Sequence, residues 1–599
     1  MKKHLEFRKF FGFFLILFLA GSLSAKSTFY KKYDYAKADC DYYVAQNSAG
    51  SGNGSSYNNR MSVANHNAGT FSPGDVICLV DEISSQVVIP SSGNSTNRIT
   101  YRGDYEGHKG VLTAIASGAL RGDYKTDLNI DNIEVRDGKI GIGFINGCHN
   151  ITITNCEVHD MARAGSKGIW FSSNTIPITT NTNIIIGGSE ENGNEVYDCG
   201  TDTGGNDVIL AHTDGMLVSY NKLYGGKTNT GIDGICFESS TNGIIEYNEI
   251  FDHIKSNTLP STDLGEDGID LKGSVNIVVR YNHIYGNRQA GVMMGDSGSG
   301  NYCENNSVYG NRIHHNRTNI GIAYLIRDAF VYNNLLYNTT SVHGISCSTD
   351  GDNVQIYNNT IVNCHGTGNR FALLFGQGTN YIAKNNIFYS DTHNDLVYVA
   401  KPSEVTLDNN RYYYTGGDAR ISWDGVYEKL VGIKSLGQEA NGSEGSPGLT
   451  NIAANDFTLA AGSACINTGI NLGSDYANAL APYNTNFSTF PPTVKTANQN
   501  SYDAWEIGAF VYGDAPTATA IDPEFGIEFK VYPNPFNDRI FIDNNDKLTR
   551  VVVSNIVGQR VIDNEYPNHE IRTGNLVSGM YLVRMYSDNV VVKTSKIIK

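Results

Sequence analysis

The feature that most constrains this chain is an internal repeat that occupies its middle. Each repeat begins with a glycine at the start of an alternating apolar strand, and in most repeats an asparagine follows about 14 positions later. The glycines are Gly141, Gly234, Gly268, Gly291, Gly321 and Gly344, and the asparagines are Asn155, Asn248, Asn282, Asn311, Asn334 and Asn359. From Gly234 onward the glycines are separated by 34, 23, 30 and 23 residues. This period, with two or three short strands in each repeat, favours one coil of a parallel β-solenoid.

Stacked coils bury a continuous apolar interior, and asparagine side chains can stack as a ladder at a turn. A β-propeller blade is the rival, but it is longer and usually carries tryptophan, of which this chain has only three. The 64 glycines among 599 residues also disfavour long helices. We therefore predict an all-β fold, a right-handed parallel β-helix over residues 111–440 that carries the active-site groove. Strand-rich segments over 26–110 and 441–512 lead into it and close it.

The two ends of the chain indicate export. Basic residues precede the apolar run over residues 10–20, which predicts a signal peptide over 1–25 because the run is too short to span a bilayer. No later segment approaches 18 continuous apolar residues. In an exported protein some of the ten cysteines can pair, and Cys40 with Cys78 is a candidate, whereas the other reading is buried thiols stacked in the core.

Residues 513–527 have the composition of a linker, and strands follow over 528–599. The motif Val531-Tyr-Pro-Asn-Pro-Phe536 and the terminal strand ending at Lys599 resemble the C-terminal sorting domain of the type nine secretion system. The resemblance implies a small β-sandwich, a partnership with that secretion machinery and a secreted or cell-surface location. The alternative is an ordinary β-sandwich binding module.

The charge balance limits the partners of the protein. It has 45 basic and 61 acidic residues, a net charge of −16. A nucleic-acid partner is therefore not expected, because phosphate binding needs a basic surface. A carbohydrate is compatible with this charge, and an anionic one becomes compatible if a bound cation supplies positive charge. We expect a monomer without a transmembrane segment in its mature form.

The strands that follow Gly234 and Gly268 carry the strongest candidate site. Alternation predicts that Ile269 and Leu271 face the core while Asp270 and Lys272 face outward. The same parity places Cys236 and Glu238 outward in the preceding coil, so that Glu238 lies about 4.8 Å from Lys272 along the stack.

Carboxylates gather around this pair of strands. The residue before each repeat glycine reads Asp233, Asp267, Ala290, Ile320 and His343 from coil to coil. Alignment of the preceding coil brings Asn206-Asp207 to the same place, which clusters Asp207, Asp233, Glu266, Asp267 and Asp270. Five close carboxylates repel one another, and Ca²⁺, which prefers several carboxylate oxygens, would resolve the repulsion. The alternative is a solvated acidic ladder of turns.

These residues resemble the pectate-lyase-like superfamily, and polysaccharide lyase family nine in particular. The resemblance implies Ca²⁺ held by Asp207, Glu266, Asp267 and Asp270, with Asp233 between them. That family takes its base from a lysine in a later coil. Here the aligned outward positions of the next two coils hold Met293 and Gly295, then Ala323 and Leu325, and Lys272 is the available lysine.

Polysaccharide lyase family six, which includes alginate lyases, is also similar, with an arginine in the coil after a lysine. Arg288 would have to substitute for that arginine near Met293. The predicted catalytic set is Lys272, Arg288 and Glu238, although Lys272 has an equally plausible role in a salt bridge with Glu238 or Asp270. Side chains proposed to bind substrate are Trp170, Arg312, Tyr324 and Arg327.

The first functional hypothesis is a secreted, calcium-dependent lyase that cleaves a uronate-containing polysaccharide by β-elimination. The second is an inverting glycoside hydrolase that uses paired Asp and Glu residues; the acidic string resembles polygalacturonases, but their Gly-His-Gly and Arg-Ile-Lys strings are missing. The third is a non-catalytic, carbohydrate-binding or adhesin β-helix with structural Ca²⁺.

Overall fold

The structure is a computed structural model, and a large part of the chain is described. The described residues are 40–113, 118–161, 163, 165–201, 204–225, 233–254, 266–295, 300–348, 351–365, 370–483, 485–513, 530–543, 548–555, 560–565, 570–587 and 590–599. The predicted signal peptide lies outside these residues, as does the predicted linker apart from Gly513.

Three long sheets of almost entirely parallel strands run side by side along the molecule. We call them sheets A, B and C, and the chain visits them in that order in each coil. Parallel pairing with this cyclic order makes a β-helix. The prediction of an all-β parallel β-helix is therefore confirmed.

Sheet A has 15 strands. They are Tyr42–Ala45, Met61–Ser62, Val76–Leu79, Ile99–Arg102, Thr126–Asp131, His149–Thr154, Asn181–Gly187, Thr213–Ser219, Thr241–Glu246, Val275–Arg280, Cys303–Tyr309, Ile326–Tyr332, Gly351–Tyr357, Thr379–Lys384 and Val405–Asp408. Sheet B has 14 short strands. They are Glu82–Ile83, Val111–Leu112, Glu134–Arg136, Glu157–His159, Glu195–Tyr197, Lys222–Tyr224, Glu249–Phe251, His283–Tyr285, Arg312–His314, Leu335–Tyr337, Thr360–Val362, Ile387–Ser390, Arg411–Tyr414 and Ser443–Glu444.

Sheet C has 15 strands and carries the acidic string on its outer face. They are Val87–Val88, Leu120–Asp123, Ile140–Ile145, Ser166–Ser172, Gly200–Thr201, Gly204–Ala211, Asp233–Glu238, Ile269–Lys272, Ala290–Gly295, Thr318–Ala323, Ile345–Cys347, Leu373–Phe375, Asp395–Val399, Arg420–Trp423 and Val426–Lys429. The three-sheet stack begins near Val76, so coils already form within the segment that the sequence analysis assigns to the lead-in.

Alternating aliphatic residues of all three sheets fill the interior as one continuous apolar cluster. The repeat glycines lie where the backbones of successive coils approach each other closely. A Cβ at Gly141, Gly234 or Gly268 would lie 2.5–2.7 Å from the carbonyl oxygen of the next coil. Such a contact is too short for any other side chain, which explains why glycine recurs at this position.

Asparagines form a buried ladder at the turn between sheets A and B. Each side-chain amide before Asn410 donates to the Oδ1 atom of the ladder residue in the following coil, at 2.8–3.1 Å, and the amide of Asn410 donates to Glu439. The members are Asn194, Asn221, Asn248, Asn282, Asn311, Asn334, Asn359, Asn386 and Asn410. Asn155 is not a member, because it lies one position earlier in its coil and Cys156 occupies the ladder column.

The repeat alignment contains one register error. Gly321 pairs with Met293, so the residue aligned with Gly291 is Asn319 and not Gly321. The column of Asp233 and Ala290 therefore continues through Thr318 and not Ile320, and Gly295 faces Ala323. Because the loops between coils differ in length, the start of this strand is shifted by two residues. A shift of two residues leaves the inward and outward sides of the strand unchanged, so alternation of apolar residues does not reveal the error.

The remaining elements are small. Two antiparallel pairs form in the closing segment, Leu449–Asn451 with Asp456–Leu459 and Asn478–Leu480 with Thr496–Asn498. The helices are Val63–Asn67 and Leu430–Ser435, and the 3-10 turns are Tyr57–Asn59, Pro402–Glu404, Ile452–Ala454, Ser474–Tyr476 and Gln499–Ser501. Among the described residues, no helix has the length and apolar content needed to cross a bilayer.

The C-terminal region contains two antiparallel sheets around one apolar core, which matches the predicted β-sandwich. The strands of one sheet are Val531–Tyr532, Arg539–Ile542 and Glu570–Arg572, and those of the other are Arg550–Asn555, Arg560–Glu565, Met580–Ser587 and Val590–Ile598. Elsewhere in the chain, Cys40 and Cys78 form the predicted disulfide. The other eight cysteines are free and buried, although Cys236 lies on the outer face of sheet C and not in the core, where the second reading placed these thiols.

Candidate functional site

The outer face of sheet C brings the acidic string of two neighbouring coils together. Cys236 pairs with Asp270, and Glu238 pairs with Lys272, so the predicted outward parity and the predicted coil register are both confirmed. Ile269 and Leu271 belong to the interior cluster. Asp270 therefore projects outward although it is only 6% exposed.

Asp233 organises the segment that enters the next strand. Its Oδ1 atom accepts hydrogen bonds from the backbone N–H groups of Glu266 and Asp267, at 2.9 and 3.1 Å. Its Oδ2 atom accepts from the side-chain amide of Asn206 at 3.1 Å. Asp267 in turn accepts from the backbone N–H of Ala290 at 2.6 Å. Each carboxylate thus orients the coil above it, and the acid cluster is part of how these coils stack.

Two basic side chains enter the cluster. Lys272 places its Nζ atom 2.8 Å from Asp270 Oδ2 and 3.6 Å from Asp233 Oδ2. Arg288 places its Nε atom 3.5 Å from Glu266 Oε2. We define the acid cluster as Asp233, Glu266, Asp267 and Asp270, with Lys272 and Arg288 as its internal cations. When all six groups are ionised, the cluster retains two uncompensated negative charges, which a single divalent cation would neutralise.

The pKa values of the acid cluster show the cost of this crowding. Burial, together with the charge of Asp233, raises the pKa of Asp270 to about 7, although Lys272 opposes the shift. Burial, followed by the charges of Asp270 and Asp233, also raises the pKa of Asp267. Carboxyl groups that resist ionisation in this way are stabilised by a bound cation. The donor set therefore fits a hard divalent ion such as Ca²⁺.

Lys272 is held as an ammonium group. Burial acts to lower the pKa of Lys272, but Cys236, Asp270 and Asp233 outweigh that effect and raise it. The geometry therefore selects the salt bridge with Asp270 among the roles considered for Lys272. A general base needs a free lone pair, which this environment withholds.

Cys236 was not considered as a site residue in the sequence analysis. Single ligand atoms of Asp233, Cys236 and Asp270 lie within 4.8 Å of one another, a spacing that a metal ion could bridge. Burial raises the pKa of the Cys236 thiol, which keeps the sulfur protonated. A protonated thiol is a poor ligand, so the carboxylates are the donors of this group.

Asp207 is placed differently from the acid cluster. It occupies the column that holds glycine in neighbouring coils and is fully buried. Its Oδ2 atom lies 2.9 Å from Nε2 of His253, whose Nδ1 atom lies 2.9 Å from Asn287 Oδ1. Burial raises the pKa of Asp207 to about 6, while His253 opposes the shift. The structure does not bring Asp207 into the ligand set that resemblance to family nine implied, because its side chain points into the interior.

The remaining predicted residues are spread over several faces. Trp170 shares the outer column of sheet C with Cys236 and Asp270, two coils before Cys236. Arg312 lies on sheet B and donates to the hydroxyl of Tyr337, so it is not on the face of the acid cluster. Tyr324 is 59% exposed in a turn after a strand of sheet C.

Arg327 is the second residue of a strand of sheet A, and its guanidinium lies 3.4 Å from the ring centre of Tyr302. Arg312 on sheet B and Arg327 on sheet A therefore lie on other faces than the acid cluster of sheet C. The sequence analysis missed His253 and Lys167, and from the aligned pair Asn206-Asp207 it chose Asp207, whereas Asn206 is the residue that pairs with Asp233. Asn206 and Lys167 occupy the column that leads to Asp233, and correct coil alignment would have revealed them.

Two family models match the chain. The right-handed β-helix region family matches residues 118–308 and 253–412. The secretion system C-terminal sorting domain family matches residues 530–599. The chain therefore combines a right-handed β-helix with a sorting domain that directs it through the type nine secretion system to the cell surface or the extracellular space.

Solved structures with a similar fold include three carbohydrate-active proteins. Pectate lyase Pel9A is 16% identical with a TM-score of 0.38, and the match covers 79% of this chain and 96% of that one. The family six alginate lyase AlyGC is 16% identical with a TM-score of 0.40, over 60% and 53% of the two chains. The family 136 lacto-N-biosidase from Eubacterium ramulus is 14% identical with a TM-score of 0.43, over 62% and 67%. These similarities concern the fold and not the activity. None of the curated proteins matches the chain.

Proposed function

We propose that this exported right-handed β-helix protein is a calcium-dependent polysaccharide lyase that cleaves a uronate-containing polymer by β-elimination. The observation that carries the proposal is the acid cluster on the outer face of sheet C. Its four carboxylates come from two adjacent coils, and two internal cations neutralise only half of their charge. An acidic protein needs such a cation site to bind an anionic polymer.

Asp233, Glu266, Asp267 and Asp270 would hold the cation. Bound Ca²⁺ would neutralise the carboxylate of the uronate and acidify the proton on the adjacent carbon. Lys272 orients Asp270 and Asp233 through its ion pairs, and Arg288 does the same for Glu266. Trp170 would contact the sugar from the same outer column.

A glycoside hydrolase of the inverting type is less compatible with this geometry. Inverting enzymes separate their two carboxyl groups by about 6.5–9.5 Å to leave room for a water molecule. Asp233 and Asp270 each offer an oxygen to a group of ligand atoms that lie within 4.8 Å of one another. The pair is therefore suited to sharing a cation more than to flanking a glycosidic bond.

The test is a product assay on uronate-containing and sulfated polysaccharides, with and without EDTA. A lyase gives unsaturated uronate ends that absorb ultraviolet light, and the proposal expects this product only when Ca²⁺ is present. New reducing ends without that absorbance would identify a hydrolase and contradict the proposal. Binding without any cleavage, across a broad panel, would identify an adhesin and contradict it equally.

A matched pair of variants links the activity to the acid cluster. Asp267→Asn removes one carboxylate of the cluster and should abolish the calcium-dependent product. Asp352→Asn changes an exposed aspartate of sheet A and should leave activity unchanged. Equal activity of both variants would separate the chemistry from this site.

A further inference from the structure

The lysine at position 167 differs from Lys272 and Arg288, the two basic side chains that pair with carboxylates of the acid cluster. Lys167 lies on the strand Ser166–Ser172 of sheet C, where it pairs with Asn206 of the next coil. Asn206 pairs in turn with Asp233. Since neighbouring strands are about 4.8 Å apart, the backbone of Lys167 lies about 10 Å from that of Asp233. The two residues therefore stand in one column with an amide side chain between them.

The surroundings of Lys167 suit a neutral amine. Among the described residues, its Nζ atom makes no ion pair with a carboxylate; it lies 3.3 Å from the carbonyl oxygen of Gly165. The ring centre of Trp170 is 5.8 Å away. Burial, followed by the nearby charge of Lys139, lowers the pKa of Lys167, although Cys236 and Glu238 oppose the shift. Lys272 has the opposite surroundings, because two carboxylates hold its ammonium group.

Lys167 also lies where a substrate would pass. It shares the outer face of sheet C with Trp170, the side chain best placed to contact a sugar, and both precede the acid cluster along the stack. A sugar with its carboxylate at the cluster and its ring toward Trp170 would present its far side to the Lys167 amine. The flexible four-carbon stem of lysine allows the amine to follow the substrate.

We propose that Lys167 is the general base of the elimination and that Lys272 is the internal counter-ion of the acid cluster. The proposal rests on the function proposed above. The Nζ lone pair of Lys167 takes the proton from the carbon next to the uronate carboxyl group. The electrons of that C–H bond form a carbon–carbon double bond, and the glycosidic C–O bond breaks. The leaving oxygen takes a proton from water, and the Lys167 ammonium group returns its proton to solvent, so no redox partner is required.

Kinetics of four variants test this assignment. Lys167→Ala should lower kcat by about 10²- to 10⁴-fold, the usual contribution of a general base, with a much smaller change in KM. Lys167→Arg keeps the charge and should still lose activity, because guanidinium stays protonated. Lys272→Ala leaves the acid cluster with one more uncompensated negative charge, so it should shift the Ca²⁺ dependence of the activity more than it changes kcat at saturating Ca²⁺. Lys222→Ala, on sheet B, is the matched control and should behave as the wild type.

A pH profile separates a base from a structural lysine. Because the charge of Lys139 lowers the pKa of Lys167, Lys139→Gln should move the acidic limb of the kcat/KM profile to higher pH. A direct measurement does not depend on activity. Reductive methylation with ¹³C-formaldehyde and an NMR titration of the Lys167 signal, assigned by its loss in Lys167→Arg, should give a midpoint below the ordinary lysine value of about 10.4.

The outcomes distinguish the two proposals. A wild-type protein that makes no unsaturated product on any uronate polymer overturns the proposed function. An active wild type with an equally active Lys167→Ala variant overturns only the base assignment, as does an NMR midpoint at or above the ordinary value. Loss of activity in Lys167→Ala, with circular dichroism and calcium binding like those of the wild type, supports it.

Discussion

The asparagine ladder and the acid cluster are both columns of polar side chains repeated from coil to coil, yet they have opposite chemistry. In the ladder, each carboxamide has donors and an acceptor, so Asn282 accepts from Asn248 and donates to Asn311. In the acid cluster, the carboxylate side chains of neighbouring coils offer only acceptors to each other. Asp233 is satisfied by backbone and amide donors, and Lys272 bridges to Asp270.

This difference shows that, in a repeat fold, one column of side chains can stabilise the stack of coils while another forms a binding site. An amide column is self-complementary and needs nothing from solvent, so it stabilises the stack of coils. A carboxylate column needs cations from elsewhere, and it therefore forms a binding site wherever internal cations are too few. The four predictions that follow change one column and use the other as its reference.

The largest effect is expected for Asp270→Asn, which converts one acidic position into an amide. It should lower lyase activity by about 10²-fold or more, because a metal-dependent site loses a charged ligand. Calcium titration by calorimetry should show weakened binding. Unfolding in EDTA should change less than calcium binding does, because the loss of the ion pair with Lys272 is offset by the removal of a buried carboxyl group whose pKa is raised to about 7. A variant with wild-type calcium affinity would contradict the site.

Breaking the ladder should do the reverse. Asn282→Ala removes the donors to Ile245, Arg280 and Asn311 and leaves buried backbone groups without partners. Each unsatisfied group costs about 1–3 kcal/mol, so we expect the free energy of unfolding to fall by about 3 kcal/mol. Denaturant unfolding followed by circular dichroism measures it. The folded variant should retain its calcium affinity, and a parallel loss of both would show that the columns are coupled.

Calcium should stabilise the protein only through the acid cluster. Binding to the folded state alone raises the free energy of unfolding by about 2.7 kcal/mol when the free ion is at 100 times its dissociation constant. Thermal unfolding with Ca²⁺ and with EDTA should therefore differ for the wild type and for Asn282→Ala. The same comparison for Asp270→Asn should show little difference, and an undiminished shift there would place the calcium elsewhere.

The smallest effect concerns Glu439, whose carboxyl group continues the ladder after Asn410. It accepts from the amide of Asn410 and the hydroxyl of Tyr412, both at 2.6 Å, and burial raises its pKa to about 7. The folded state thus binds a proton more tightly than the unfolded state. The resulting stability is fully present below the unfolded value near 4.5 and is lost as pH rises through about 7.

Glu439→Gln should remove this pH dependence. Between pH 5 and 8 the stability of the wild type should fall relative to the variant by about 1–3 kcal/mol, since one pKa unit corresponds to about 1.4 kcal/mol. Denaturant titrations at several pH values measure the difference. A constant difference across that range would mean that Glu439 titrates normally.

Much of the site followed from the sequence because strand parity is local. Alternation places Asp270 and Lys272 outward from Ile269 and Leu271 without any knowledge of the rest of the chain. The pairing of Glu238 with Lys272 also followed from the sequence, because the two residues lie at the same distance after the repeat glycines Gly234 and Gly268. The sorting domain followed from its motif.

The placement of Asp207 did not follow, because its column lies at a bend where alternation is interrupted. Asp207 replaces a repeat glycine, and its side chain turns toward His253. The role of Lys272 did not follow either, since its pKa depends on which carboxylates lie within reach. Arg312 illustrates a third limit, because its strand belongs to sheet B and its face is set by the coil order.

The sequence by itself determined the type of fold and the parity of its strands, because both depend on the order of apolar, glycine and asparagine residues along the chain. Only the tertiary structure decided which charges meet, because loops of unequal length set the register between coils. In this register Lys272 forms an ion pair with Asp270, whereas Lys167 has no ion pair among the described residues. Electrostatic interactions act across coils, and their strength is set by distances and burial that arise only when the coils stack.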